Sequence, residues 1–132
     1  MNYLLDTHTF LWAVFSPNKL SAKSKKEIRS VENRICLSTI TFWEISLKFA
    51  LGKIELENCK PDEMPDLAMK MGLEIIQPTA QENASFYQLP KVQHKDPFDR
   101  MIIWQSIQQQ LVLISKDGGL EEFRAFGLQI LW

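Results

Sequence analysis

His94-Lys95-Asp96-Pro97-Phe98-Asp99-Arg100 reads as the opening of a helix, and the fold is read outward from it. Asp96 is a strong N-cap, because its carboxylate can accept the open backbone N–H groups of the first turn. Pro97 follows at the first helical position, where a missing N–H is no loss. Asp99 falls at the third position, where a negative charge meets the positive end of the helix. Met101-Ile102-Ile103-Trp104 comes directly behind, an apolar block that demands burial. Two carboxylates are thus fixed at the mouth of a buried helix. Capping accounts for Asp96 in full and for Asp99 in part.

Downstream, the helix runs to about residue 109 and hands over to the clearest strand of the chain, residues 111–115. Lys116-Asp117-Gly118-Gly119 leaves that strand at once. Residues 120–126 read as helical and 128–132 as a last strand. Upstream, Asn2-Tyr3-Leu4-Leu5-Asp6 is a short apolar strand ending in an acid, and Thr7 is placed to cap the segment after it. Residues 9–15 are too apolar all round for a surface helix, and 16–18 form a turn. Ser21 caps a polar helix to about 32, and residues 34–38 form a second strand. Ser38, Thr39 and Thr41 offer caps for a helix that runs to 51 and closes at Gly52.

Residues 53–60 read as loop, with a short extended piece at 54–56. A helix over 61–71 ends at Gly72. Residues 73–76 make a strand stopped by Pro78, and Thr79 caps a helix to about 89. Strands alternate with helices throughout, which predicts an α/β fold with a mostly parallel sheet between helical layers. No linker, repeat or low-complexity run divides residues 1–132, so a single domain is expected.

Composition bounds the function. The net charge of −1 gives no global basic field, so any nucleic-acid contact must come from a local patch. Lys23, Lys25, Lys26 and Arg29 on the second helix are the candidates, against the plain alternative of a solvated helix face. Cys36 and Cys59 sit in no metal-ligand or redox spacing. No stretch approaches membrane-spanning length and no charged leader precedes an apolar run, so a cytoplasmic protein is expected.

The acids are distributed unevenly. Of six aspartates, Asp6, Asp96, Asp99 and Asp117 fall at strand ends or helix starts, and Glu44 opens the helix that leaves the second strand. Sites in open parallel sheets form at the carboxyl ends of the strands, so Asp6, Glu44 and Asp117 should share one edge. Asp99 joins them if its crossover is regular. Glu44 and Lys48 also have the spacing of an ordinary helical ion pair. Clustered carboxylates repel one another unless a cation binds them. An oxygen-rich set without Cys favours Mg²⁺ or Mn²⁺ over Zn²⁺. Such a site suits phosphodiester hydrolysis.

Leu4-Leu5-Asp6-Thr7-His8 with Leu11-Trp12, Ser38 with Trp43-Glu44-Ile45, Lys48 and Gly52-Lys53, the central stretch from His94 to Arg100, and Leu113-Ile114-Ser115 with Asp117 occur in that order. The series resembles the PIN-domain ribonucleases, and within them the VapC toxins of type II toxin–antitoxin pairs. The resemblance implies a PIN-like three-layer α/β/α sandwich and a Mg²⁺- or Mn²⁺-dependent endoribonuclease.

It implies a site of Asp6, Glu44, Asp99 and Asp117, with Asp6 and Asp99 as direct metal ligands. Asp96, Ser115, Arg100 and Thr7 would be supporting residues. Ser115 would hold a water beside the ion, and Arg100 would pair with a site carboxylate or a substrate phosphate. A VapB-like antitoxin is the implied partner, seated against the apolar residues of 9–15 and 40–51, with homodimers or toxin–antitoxin hetero-oligomers.

A haloacid-dehalogenase-like phosphotransferase would need an acid at position 8, which is His8. A receiver-type phosphoacceptor would need paired acids after the first strand. The non-enzyme alternative is a catalytically silent PIN-like module that binds a partner. His8 and His94 read as surface or hydrogen-bonded histidines.

Overall fold

Strands that are apolar on both faces need cover on both sides, and the helices that link parallel strands supply it. The computed structural model describes Met1–Trp132 and has this architecture, an α/β/α sandwich. β1 (Asn2–Leu5) leads into α1 (Thr7–Phe15) and α2 (Ala22–Arg29). β2 (Arg34–Ser38) leads into α3 (Thr39–Ala50) and α4 (Met64–Lys70), and β3 (Glu74–Ile76) into α5 (Ala80–Ser85) and α6 (Pro97–Gln109). β4 (Val112–Ile114) reaches β5 (Gln129–Leu131) through the 3-10 segment Gly118–Phe126. The sheet order is β3-β2-β1-β4-β5, and every pairing is parallel, with Leu4 opposite both Cys36 and Leu113.

The pleat divides the core. Tyr3, Leu5, Ile35, Leu37 and Ile114 point to one face, where Phe10 of α1, Ile45 of α3 and Met64 of α4 cover them. Leu4, Cys36 and Leu113 point to the other, where Ile102, Ile103 and Trp104 of α6 meet Leu120 and Phe123. Burying each such large side chain contributes about 1.5–3 kcal/mol. β1, β2 and β3 extend the sheet one way, and β4 and β5 extend it the other. The winding therefore reverses between β1 and β4, and the residues that follow these two strands are Asp6 and Ser115.

The caps expected at Ser21, Ser38, Thr79 and Asp96 are present, and Gly52 and Gly72 end their helices at positive φ. Four local expectations are corrected. α1 is capped by Asp6 rather than Thr7, which moves Thr7 into the first turn. Residues 54–56 make no ladder and stay loop. Residues 61–63 and 118–126 wind as 3-10 rather than α. α5 stops at Ser85, where the Trp104 indole N–H donates to the Glu82 carbonyl and to Ser85 Oγ, and a 3-10 turn continues to Gln88.

One buried contact ties α3 to α6. Ser38 Oγ accepts the Ile40 N–H as the cap of α3 and donates to Gln105 Oε1 at 2.5 Å. Gln105 is fully buried, and its Nε2 has no partner. Ser38→Ala removes a cap and strands a buried acceptor, so it should cost about 2–3 kcal/mol in urea unfolding. Adding Gln105→Leu should recover roughly half of that, because the apolar side chain leaves no stranded amide.

Candidate metal centre

In a parallel sheet every strand delivers its carboxyl end to one edge, and the helix that follows begins there with unpaired N–H groups. Three aspartates are held by those groups. Asp6 Oδ1 accepts the Thr9 N–H at 2.8 Å. Asp96 Oδ1 accepts those of Phe98 and Asp99 at 2.9 and 3.1 Å. Asp117 Oδ1 accepts that of Gly119 at 2.9 Å. Each commits one oxygen to the backbone. The second oxygen of Asp96 lies 3.9 Å from Lys48 Nζ, and that of Asp117 lies 3.7 Å from His94 Nδ1. A Cβ at position 119 would approach Asp117 Oδ1 to 3.1 Å and His94 Nδ1 to 3.6 Å, so glycine keeps this corner open.

Glu44 and Asp99 are held by side chains instead. Glu44 is buried on α3. Its Oε1 accepts the Thr7 hydroxyl at 2.6 Å, and its Oε2 is paired with Lys48. Asp99 Oδ2 lies 3.0 Å from His94 Nε2. Donor atoms of Glu44, Asp96 and Asp99 lie within 4.8 Å of one another, as do those of His94, Asp99 and Asp117. Asp99 belongs to both groups and is the centre of the cluster. Asp6 and Asp117 line one cleft at the switch point between β1 and β4.

The electrostatics follow from this crowding. Burial, with repulsion from Asp96 and Glu44, pushes the Asp99 carboxyl up to about 6, against the lowering pull of the His94 hydrogen bond. Burial also raises Asp6, while the Ser115 hydroxyl and Thr9 favour its charged form. For Lys48, burial acts to lower the ammonium, but the hydrogen bond to Glu44 and the charges of Glu44, Asp96 and Asp99 outweigh it and raise it. The set is oxygen-rich, over-supplied with negative charge and open on one side, which fits a hard divalent cation.

The structure brings Glu44, Asp96, Asp99 and Asp117 into two overlapping donor groups, with Thr7 on Glu44; Asp6, beside Ser115, lies outside both groups and shares a cleft with Asp117. Arg100 is not with them. It donates to the Leu89, Pro90 and His94 carbonyls and lies over Phe86 and Phe123, so it pins the loop that carries His94 rather than pairing with a site carboxylate. Nor do Lys23, Lys25, Lys26 and Arg29 reach the acids. Lys25 and Arg29 line a separate hollow with Leu20 and Met71. Their helix neighbour Glu27 bonds Tyr3 and Asn33, by the amino end of β1. The basic side chains at the site are Lys48, Lys116 and the imidazole of His94. The sequence signal for Lys48 was its spacing from Glu44. No pattern in the residues assigns His94 its bridging place between two aspartates.

Against known proteins, a family profile described as PIN domain matches residues 3–125. The chain belongs to the PIN domain family. Solved structures share the fold. The VapBC2 complex of Rickettsia felis, bound to a DNA fragment from their promoter, gives a TM-score of 0.71 at 21% identity, covering 100% of this chain and 99% of that one. DNA-bound VapBC of Salmonella typhimurium gives 0.66 at 20%, covering 99% and 97%. FitAcB of Neisseria gonorrhoeae gives 0.62 at 20%, covering 100% and 97%. No curated protein sequence matches significantly. In this PIN domain no helix is long and apolar enough to cross a membrane.

Two measurements test the charge balance of the PIN domain's acidic edge. The folded Asp99 carboxyl titrates near 6, above its ordinary value of 3.8. The native state therefore holds this proton more tightly than the unfolded chain, and stability falls as pH rises through that window. With the carboxylate 31% exposed, Asp99→Asn should stabilise the metal-free protein by about 1 kcal/mol near pH 7, a melting shift of ~3–6 °C, by roughly half as much near pH 5, and by little near pH 4. Lys48→Met should have the opposite sign. It leaves buried Glu44 without its cation and should cost about 3 kcal/mol in urea unfolding with chelator.

Proposed function

We propose that this PIN domain is a Mg²⁺- or Mn²⁺-dependent endoribonuclease, the toxin of a VapBC-like pair, acting as one domain in the cytoplasm. The observation that supports this most is the convergence of Glu44, Asp96, Asp99 and Asp117 in two overlapping donor groups at the edge that also carries Asp6. PIN domains are typically metal-dependent nucleases, and this site keeps the donors that such chemistry needs. Asp6 and Asp99 would hold the ion, with Asp117 and Asp96 beside them. When bound, the ion supplies the positive charge that polarises a phosphodiester and activates water.

The chain's own residues do the rest. Thr7 and Lys48 fix Glu44 at the wall of the site. His94 holds Asp99 and leans on Asp117, which keeps the two acids in register. Ser115 accepts the Asp117 N–H, and its hydroxyl favours the charged form of Asp6. The expected partner is a VapB-like antitoxin, in a hetero-oligomer or against a homodimer, a reading supported by the VapBC structures of like fold. Trp43 (62% exposed), Leu47 and Leu51 form a ladder on the outer face of α3, and Trp43 stacks edge-on with Phe98 beside the acids. That apolar ridge supports a protein partner at the mouth of the site.

Cleavage of total cellular RNA by the purified chain, without antitoxin, tests the reading. Discrete fragments should form with Mg²⁺ or Mn²⁺ and vanish with chelator. Asp6→Asn and Asp99→Asn should each cut the rate by more than ~100-fold, beyond what loss of an outer-shell partner costs. Equal cleavage by both variants, or none by the folded wild type with either metal, would overturn it.

A further inference from the structure

The acidic edge opens into a cleft where Asp6 and Asp117 of the candidate metal centre meet three side chains that the metal chemistry does not use. It holds about 400 Å³ and is lined by Asp6 and Asp117 on the acid side and by His8, Trp12 and Lys116 beyond them, a volume suited to a small ligand group. Trp12 is only half-buried and belongs to neither apolar core. Its α1 neighbours Leu11, Val14 and Phe15 do pack on the core. Trp12 instead meets the His8 ring at 5.8 Å and the Trp132 ring edge-on at 5.8 Å, with Lys116 Nζ 5.9 Å from its centre. An aromatic floor, an imidazole and an ammonium thus stand directly beside the carboxylates.

That combination matches one ligand chemistry. Aromatic planes stack nucleobases without regard to sequence, and a nearby cation takes the backbone phosphate. A base inside a duplex has no free face to offer, so the pairing suits an unpaired nucleotide. Resting on the nuclease reading above, we propose that the Trp12 cleft is the subsite for the nucleotide next to the scissile phosphate. Its base lies on Trp12 and His8, and its phosphate meets Lys116. A nucleotide seated there is held mainly by stacking and charge.

Fluorescence anisotropy with a short, labelled single-stranded RNA of randomised sequence tests this. It is run in Mg²⁺ on the Asp99→Asn protein so that the probe survives. Trp12→Leu should weaken binding by about 10- to 100-fold, and Trp12→Phe, which keeps a stacking face, by far less. Lys116→Ala should lower the slope of log affinity against log salt by about 0.7. An oligomer of the same backbone without bases should bind the Asp99→Asn protein as weakly as its Trp12→Leu derivative binds RNA, and that derivative should not tell the two probes apart. Circular dichroism confirms that the variants fold.

If Trp12→Leu binds RNA as tightly as its parent, the subsite is wrong. The same holds if Trp12→Leu weakens only a VapB-like peptide, which would make the cleft a protein groove. Neither result depends on whether wild type cleaves RNA, so the failure of the nuclease reading is seen separately in the cleavage assay.

Discussion

A carboxylate that accepts the first-turn N–H groups of a helix is anchored at one oxygen and presents the other. Asp6, Asp96 and Asp117 all do this, and the rest of the edge is arranged around them. Each cap bond is worth about 1 kcal/mol, and a rotamer that swings the acid away from its neighbours forfeits it. The caps thus oppose the mutual repulsion that would otherwise scatter these groups. They can share one small volume only because the strands are parallel, which brings the first turns of α1 and α6 and the turn after β4 to the same side of the sheet. Capping and site chemistry are not rival explanations of these aspartates, since the cap is what makes each one rigid.

The remaining two acids show what happens without a backbone anchor. Glu44 is almost wholly buried, and Lys48 and the Thr7 hydroxyl meet its two oxygens. Asp99, two-sided and central, has His94 alone and is the acid pushed up to about 6. Negative charge is therefore least well compensated at the point common to both donor groups. A site that is stable without a cation would place its counter-charge there. This one places Lys48 at one end and a histidine hydrogen bond at the other.

Much of this was legible in the residues. Short strands apolar on both faces, the caps at Ser38, Thr79 and Asp96, and the strand-end positions of Asp6 and Asp117 are local properties that tertiary packing did not override. What escaped was direction. Arg100 follows Asp99 in sequence, but adjacent helical residues point about 100° apart, so Arg100 turns to the 89–94 carbonyls while Asp99 faces the site. The α2 cations form a run that reports exposure to water, and helix α2 carries them toward the amino end of β1. His94 lies in a loop, where no periodicity assigns a side. Its place depends on Arg100 holding that loop, a contact between residues that sequence spacing does not pair.

The caps also bear on how a phosphate could approach. Helix N-termini bind anions through the same unpaired N–H groups, and a phosphate site of that kind needs them vacant. Here the side chains of Asp6, Asp96 and Asp117 each already take one or two of them and add negative charge, so the edge presents carboxylate oxygens where a nucleotide-binding α/β protein presents N–H groups. A polyanion meets repulsion at the acids themselves. It can settle only where positive charge intervenes, from a cation among the carboxylates or from a side chain at the rim. Lys116 over Trp12 is one such side chain, and it stands at the switch-point cleft rather than on the basic face of α2. The helix caps that hold the acids in place thereby make phosphate binding at this edge conditional on a cation.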